Sequence, residues 1–205
     1  MQSAANKLRC MYPARDHETK CLYVYGKPGT GKTTTIKRVL RAIHSYDSRF
    51  GTYVKVGGMS KFWENYDNEF FVLFDDPGYF SGNSAEDEVS AFKNIISNGP
   101  YCVEVKGSFA QFTSHLVIIC TNAEPGNFAR LAGPHEQAVC DRIAGSRSIC
   151  KTAIYIPTLG YCINDFMFKF INLCIYIIYA RTGIDIPFED VILELEPIDN
   201  TFFKY

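Results

Sequence analysis

The chain has 205 residues, 47% apolar and 21% charged, with a net charge of −1. That size and balance suit one sizeable core, or a core plus a small addition, and the 16 Phe and 13 Tyr argue against a disordered chain. A charge so near zero excludes a uniform polycation, so any nucleic-acid binding must use a local basic patch or loops gathered by oligomerisation.

Residues 1–19 are polar and mixed, and read as a short lead-in or oligomerisation arm. None of the eight cysteines forms a C-x-x-C pair, and His17, His44, His115 and His135 are scattered, so zinc is not expected. Without a secretory signal pattern at the start, the expectation is a reducing, intracellular setting in which thiols such as Cys120 behave as small hydrophobes.

"CLYVYGKPGTGKTTTIKRVLRAIHSY" then predicts an apolar strand, a Gly-rich loop and a helix with Ile36, Val39, Leu40 and Ile43 at the helical period. "GTYVKVGG" predicts a second strand, and "KFWENYDN" a loop or short helix in which Trp63 is a packing residue. Phe70, Phe71, Val72, Leu73 and Phe74 form a continuous apolar run, suited to a strand buried on both faces. It ends in two adjacent carboxylates, Asp75 and Asp76, a costly pairing unless a cation is near.

"SAEDEVSAFKNIISNG" predicts a helix with Ser84 as N-cap and Gly99 as its stop. "YCVEVKGSFAQFTS" predicts extended structure around a turn at Lys106-Gly107, with Phe109 and Phe112 half-buried on its strands. "HLVIICTN" is a further buried strand, ending in Thr121 and Asn122. Residues 135–150 predict helix then loop, "TAIYIP" a short strand, residues 161–182 a helix, and the tail no firm structure. The longest uninterrupted apolar run in the late helix, Cys174 to Ala180, is far short of the roughly 20 residues of a membrane span. Asn164, Asp165, Lys169 and Asn172 interrupt the rest, so a buried or interface helix is expected there. Alternation of strands and helices through the first 150 residues points to a parallel α/β sheet, followed by a mostly helical addition.

"GKPGTGKT", Gly26 to Thr33, fits the P-loop pattern G-x-x-x-x-G-K-[ST] without a mismatch, between a strand and a helix as that motif requires. Gly26, Lys27, Pro28, Gly29, Thr30, Gly31, Lys32, Thr33 and Thr34 are therefore the candidate nucleotide-binding residues. Backbone N–H groups and the helix N-terminus would hold phosphates, Lys32 would reach the β- and γ-phosphates, and the Thr33 hydroxyl would sit on Mg²⁺. A P-loop NTPase needs an acidic residue at the end of a neighbouring strand, which Asp75 and Asp76 supply. Which of the two is nearer the metal is not legible; by analogy Asp75 is assigned to Mg²⁺, through water, and Asp76 to polarising the attacking water. Asn122 is the candidate γ-phosphate sensor.

Taken in order, "RDHETKCLYVYGKPGTGKT", "YVKVGGMSKFWENYDNEFFVLFDDPGYF", "CVEVKGSFAQFTSHLVIICTN" and, more loosely, "EQAVCDRI" resemble the superfamily 3 helicases of small viruses. Within that group the likeness is to the helicase domain of replication-associated (Rep) proteins of circovirus-like single-stranded DNA viruses. It covers roughly residues 12 to 145 and implies an AAA+-like P-loop NTPase fold over residues 20–157, with residues 158–205 as a helical appendage. It further implies ATP and Mg²⁺ as cofactors, a ring, expected to be hexameric, and single-stranded DNA as the polymer moved. Lys106 and Gly107 match the hairpin that lines the pore. Arg142, or Arg147 close by, matches an arginine finger acting on the neighbouring subunit's nucleotide. A host nuclear location follows for a DNA virus protein, with no expected membrane role. The His-hydrophobe-His motif of the related nuclease domains has no counterpart here, so nicking is not expected of these residues, and Pro77 departs from the pattern.

Three other readings compete. A picornavirus-like superfamily 3 enzyme shares the motifs and would exchange DNA for RNA, with a cytoplasmic site of action and membrane association. A P-loop small-molecule kinase should show an arginine-rich lid, which the sequence lacks. A non-catalytic module is disfavoured by the presence of Lys32, Thr33, Asp75, Asp76 and Asn122 together.

Overall fold

A computed structural model describes residues 13–59, 62–77, 85–145, 147–149, 153–156 and 161–195, with only the backbone of 161 and 162. The predicted cap at Ser84 and the end of the "DDPGYF" stretch lie outside the described residues.

Among the described residues five strands build one sheet: β1 (Lys20–Gly26), β2 (Thr52–Val56), β3 (Phe71–Asp75), β6 (Leu116–Thr121) and β7 (Ile154–Ile156), in the order β2-β3-β6-β1-β7. Every pairing is parallel, with Tyr23 opposite Ile119 and Asp75 opposite Cys120. Parallel neighbours need crossovers, and helices on both faces supply them. The two-strand unit β4 (Cys102–Val105) and β5 (Ser108–Gln111) is an antiparallel hairpin apart from this sheet. The helices are α1 (Lys32–Tyr46), α2 (Ala85–Ile95), α3 (Pro125–Arg130), α4 (Glu136–Ile143), α5 (Tyr161–Thr182) and α6 (Phe188–Glu194). A short 3₁₀ turn, Gly133–His135, precedes α4.

The period of two in the central strands sorts their side chains between two cores. Tyr23, Val72, Phe74, Val117 and Ile119 pack on one face with α2, α4 and the hairpin. Leu22, Val24, Phe71, Leu73, Leu116 and Ile118 pack on the other with α1, α5 and α6. Each fully buried Phe or Leu contributes about 1.5–3 kcal/mol relative to exposure, which explains why the continuous apolar runs become the middle of the sheet. Trp63 is fully buried, stacked on Tyr53 and edge-on to Tyr66, Phe74 and Phe112, with its indole N–H donated to the Met59 carbonyl.

The late helix α5 places Ile163, Phe166, Phe170, Ile171, Cys174, Ile177 and Ile178 in the α1-side core. Those positions recur at helical spacing and make one apolar stripe. By length and composition alone the stretch Ile163–Thr182 could cross a membrane; its stripe packs on the chain's own sheet and helices, while Phe168, Tyr176 and Tyr179 on its other faces are exposed. Of the tail, without firm structure by sequence, Phe188–Glu194 forms α6, whose Val191 is buried in the same core, and residues 196–205 lie outside the described residues.

Helix α2 ends at Ile95 rather than at Gly99 because other groups take its last carbonyls. Arg15 donates to the carbonyls of Asn94 and Ile95 (2.6 Å to the latter) and to Gly99 (2.7 Å). Arg142 and Arg147 both donate to Ile96, at 3.1 and 3.2 Å. Guanidinium donors meet both the unpaired carbonyls and the negative end of the helix dipole. Burial pulls the Arg15 guanidinium down to about 10, and Arg142 is also lowered by burial and by the nearby Arg147 charge.

Candidate nucleotide and nucleic-acid site

β1 delivers the chain to Gly26 at the carboxyl edge of the sheet. There φ is +150°, and an added Cβ would lie 2.0 Å from the Ile156 carbonyl oxygen of β7, so only glycine allows the loop to leave this close to its neighbour. The loop turns over the sheet edge and enters α1 at Lys32. A cleft of about 330 Å³ opens here, lined by Pro28 to Thr34, Asp75, Asp76 and Cys120 to Asn122. Open parallel sheets hold ligands at this carboxyl edge.

Lys32 is nearly buried, and its ammonium donates to the carbonyls of Gly26 (2.9 Å) and Lys27 (2.8 Å) and to the Asn122 amide oxygen (3.2 Å). The charge is therefore aimed into the cleft by the loop itself, with Asn122 as a third anchor. Asp75 shares the parity of Phe71 and Leu73, whose side chains face α1. Its carboxylate accordingly meets that helix, accepting from Thr33 Oγ1 at 2.9 Å and from Lys37 Nζ at 2.7 Å. Asp76 follows the last residue of β3 and shares the parity of Val72 and Phe74. Its φ of +50° turns it away from β3, its N–H donates to the Cys120 carbonyl at 2.7 Å, and its carboxylate accepts from Thr121 Oγ1 at 3.1 Å. A non-glycine residue in the left-handed region costs about 1–3 kcal/mol and persists where its surroundings dictate it. The two adjacent acids thus face different partners, which relieves the repulsion that their sequence implies.

The Cys120 thiol lies 3.3 Å from the Thr33 hydroxyl, and burial raises it above its ordinary value. Thr33 Oγ1 and the Asp75 carboxylate offer hard oxygen donors on one wall of the cleft, a set that fits Mg²⁺. Lys37 escaped the sequence reading, although it follows Thr33 by four positions on a helix and so had to share its face.

The other predicted site residues sit elsewhere. Lys106 and Gly107 form the two-residue tip of the hairpin, with Val105 opposite Ser108. Gly107 has φ +74°, and both tip residues are exposed. The two aromatics differ from the half-buried expectation: Phe109 is 60% exposed, whereas Phe112 is fully buried against Trp63 and Tyr66. Arg142 does not approach the cleft of its own chain. Besides Ile96, it donates to the carbonyls of Lys93 (3.2 Å) and Ala138 (2.7 Å).

A family model described as RNA helicase matches residues 22–123, which run from β1 to just beyond Asn122. The chain is 30% identical over 132 residues to the replication-associated protein of human associated cyclovirus 1, covering 64% of this chain and 43% of that protein. Against the replication-associated protein of goose circovirus it is 31% identical over 112 residues, 55% of this chain and 33% of that one. A stretch of 81 residues is 32% identical to the RNA1 polyprotein of raspberry ringspot virus, covering 39% of this chain and 3% of the polyprotein. The chain thus spans less than half the length of each of these relatives. With the parallel sheet and the ordered motifs at its carboxyl edge, these likenesses make the stretch from β1 to β6 a superfamily 3 helicase domain of the kind carried by circovirus-like replication-associated proteins.

Proposed function

We propose that this domain hydrolyses ATP with Mg²⁺ and couples the reaction to movement along single-stranded DNA, as one subunit of a ring. The observation that carries the reading is the meeting of Lys32, Thr33, Asp75, Asp76 and Asn122 around one cleft, from three separate parts of the chain. The loop backbone and Lys32 hold the β- and γ-phosphates. Thr33 and Asp75 hold the metal, which when bound neutralises charge on the phosphates. Asp76 orients the attacking water and accepts its proton as the water oxygen bonds to the γ-phosphorus and the bond to the β-phosphate oxygen breaks. Asn122 positions that water from the end of β6, while its bond to Lys32 reports whether the γ-phosphate is present.

The exposed tip at Lys106 is the strand contact in this reading, because a ring concentrates a few such lysines despite the near-neutral chain. An arginine from a neighbouring subunit would complete the site. Arg142 and Arg147 remain the sequence candidates, though each is held to α2 within its own chain.

The test is Mg²⁺-dependent ATP hydrolysis with and without single-stranded DNA and RNA, beside Lys32→Ala and Lys106→Ala. Stimulation by DNA, loss of hydrolysis in Lys32→Ala and loss of the DNA response in Lys106→Ala support the translocase. A robust rate that neither polymer changes would overturn it. Stimulation by RNA alone would establish the second reading, an RNA-directed enzyme, which the RNA helicase family model and the likeness to an RNA1 polyprotein favour.

A further inference from the structure

Both oxygens of the Asp75 carboxylate already have partners. Oδ1 accepts from the Thr33 hydroxyl at 2.9 Å, and Oδ2 from the Lys37 ammonium at 2.7 Å. The pair is only partly shielded, with the Lys37 side chain 40% and the Asp75 side chain 25% exposed. Thr33 and Lys37 lie one helical turn apart on α1, so the same helix face that would present the metal-binding hydroxyl also presents a cation to the metal-binding carboxylate.

We propose that Lys37 is a resident counter-ion of Asp75, which holds the carboxylate in place when no metal is bound and must withdraw for a divalent cation to bind. The proposal rests on the reading of the cleft as a metal–nucleotide site. A divalent ion held by this carboxylate, directly or through water, would be repelled by an ammonium within hydrogen-bond distance of the same group. Lys37 has somewhere to go. It also lines a second hollow, of about 440 Å³, together with Leu40, Arg41, His44 and Glu69. Lys37 is then a positioning residue that sets the metal requirement of the site, and it takes no part in bond making.

The consequence is unusual for the loss of an ion pair. Removing the ammonium while keeping the stem, in Lys37→Met, should weaken the metal-free protein and strengthen its hold on metal. At a fixed concentration of a fluorescent ATP analogue, half-maximal binding should need roughly two- to fivefold less Mg²⁺ than in wild type, since a partly exposed ion pair is a weak competitor. Lys37→Arg should restore the wild-type requirement. The melting temperature of Lys37→Met without metal should fall, and Mg²⁺ with the analogue should raise it further than in wild type. An unchanged or increased Mg²⁺ requirement in Lys37→Met, with Asp75→Asn losing the metal dependence, would overturn the counter-ion role alone. If wild type itself shows no metal-dependent binding, indistinguishable from Asp75→Asn, the metal–nucleotide reading fails and takes this proposal with it.

Discussion

Lys32 and Asn122, 90 positions apart in the chain, are joined by a 3.2 Å hydrogen bond from ammonium to amide oxygen. That bond ties the start of α1 to the end of β6, and it exists because β1 and β6 are neighbours in register, Tyr25 lying opposite Thr121. A ligand that draws Lys32 toward a phosphate must loosen its tie to Asn122, so the two ends of the cleft are coupled before any nucleotide arrives.

The two acids should separate in mutants. Asp75→Asn loses the carboxylate shared by Thr33 and Lys37, and metal-dependent nucleotide binding should fall with it. Asp76→Asn keeps that arrangement intact, so binding should persist while turnover drops by about 10²-fold or more, the usual cost of losing a group that orients or accepts from the nucleophile. Parallel measurements of nucleotide affinity and turnover check the split. Equal loss of affinity in both variants would merge the two roles.

At the hairpin, Gly107→Val forces a β-branched residue into φ +74° and should destabilise the tip by about 1–2 kcal/mol. Because the tip is exposed and apart from the main sheet, global unfolding should barely move. Binding of fluorescent single-stranded DNA should weaken, as is also expected of Lys106→Ala. Unaltered DNA binding in both variants would remove the hairpin from the nucleic-acid path.

Arg142 carries a structural load that its sequence context did not show. Arg142→Ala leaves the carbonyls of Lys93 and Ala138 without this donor and removes one of two donors to Ile96. About 1–3 kcal/mol of stability should be lost on urea unfolding. A finger role predicts something separate, a fall of about 10³-fold or more in turnover under conditions where the variant is fully folded. A stable fold with intact turnover would contradict both roles.

His115 predicts an acid limb. Burial, then the charges of His17 and Arg181, pull it from an ordinary value near 6.5 down to about 3, with Asp16 opposing weakly. Its ring stacks on His17 at 3.8 Å. The folded state keeps this imidazole neutral where the unfolded chain protonates it. Between about 6.5 and 3 the unfolded state therefore binds more protons, and stability must fall as pH falls through that window. His115→Gln should flatten the limb, which thermal unfolding across that pH range would reveal.

The sequence by itself determined the elements and the chemistry they carry. Apolar runs such as Phe70 to Phe74 suit strands buried on both faces, and the P-loop spacing follows from what a phosphate-binding turn needs. The period of α1 and the Lys106-Gly107 turn were legible for the same reason: each depends on neighbours within one or two turns. Tertiary structure decided what depends on partners distant in the chain. Strand order and parity alone put Asp75 against Thr33 and Lys37 and turned Asp76 toward Thr121. Likewise, the end of α2 meets three arginines that reach it from elsewhere in the chain, and the apolar stripe of α5 shares one core with α1, far earlier in the chain, and with α6, which follows it. Local periodicity encodes which face a residue occupies; only the packed sheet determines what that face meets.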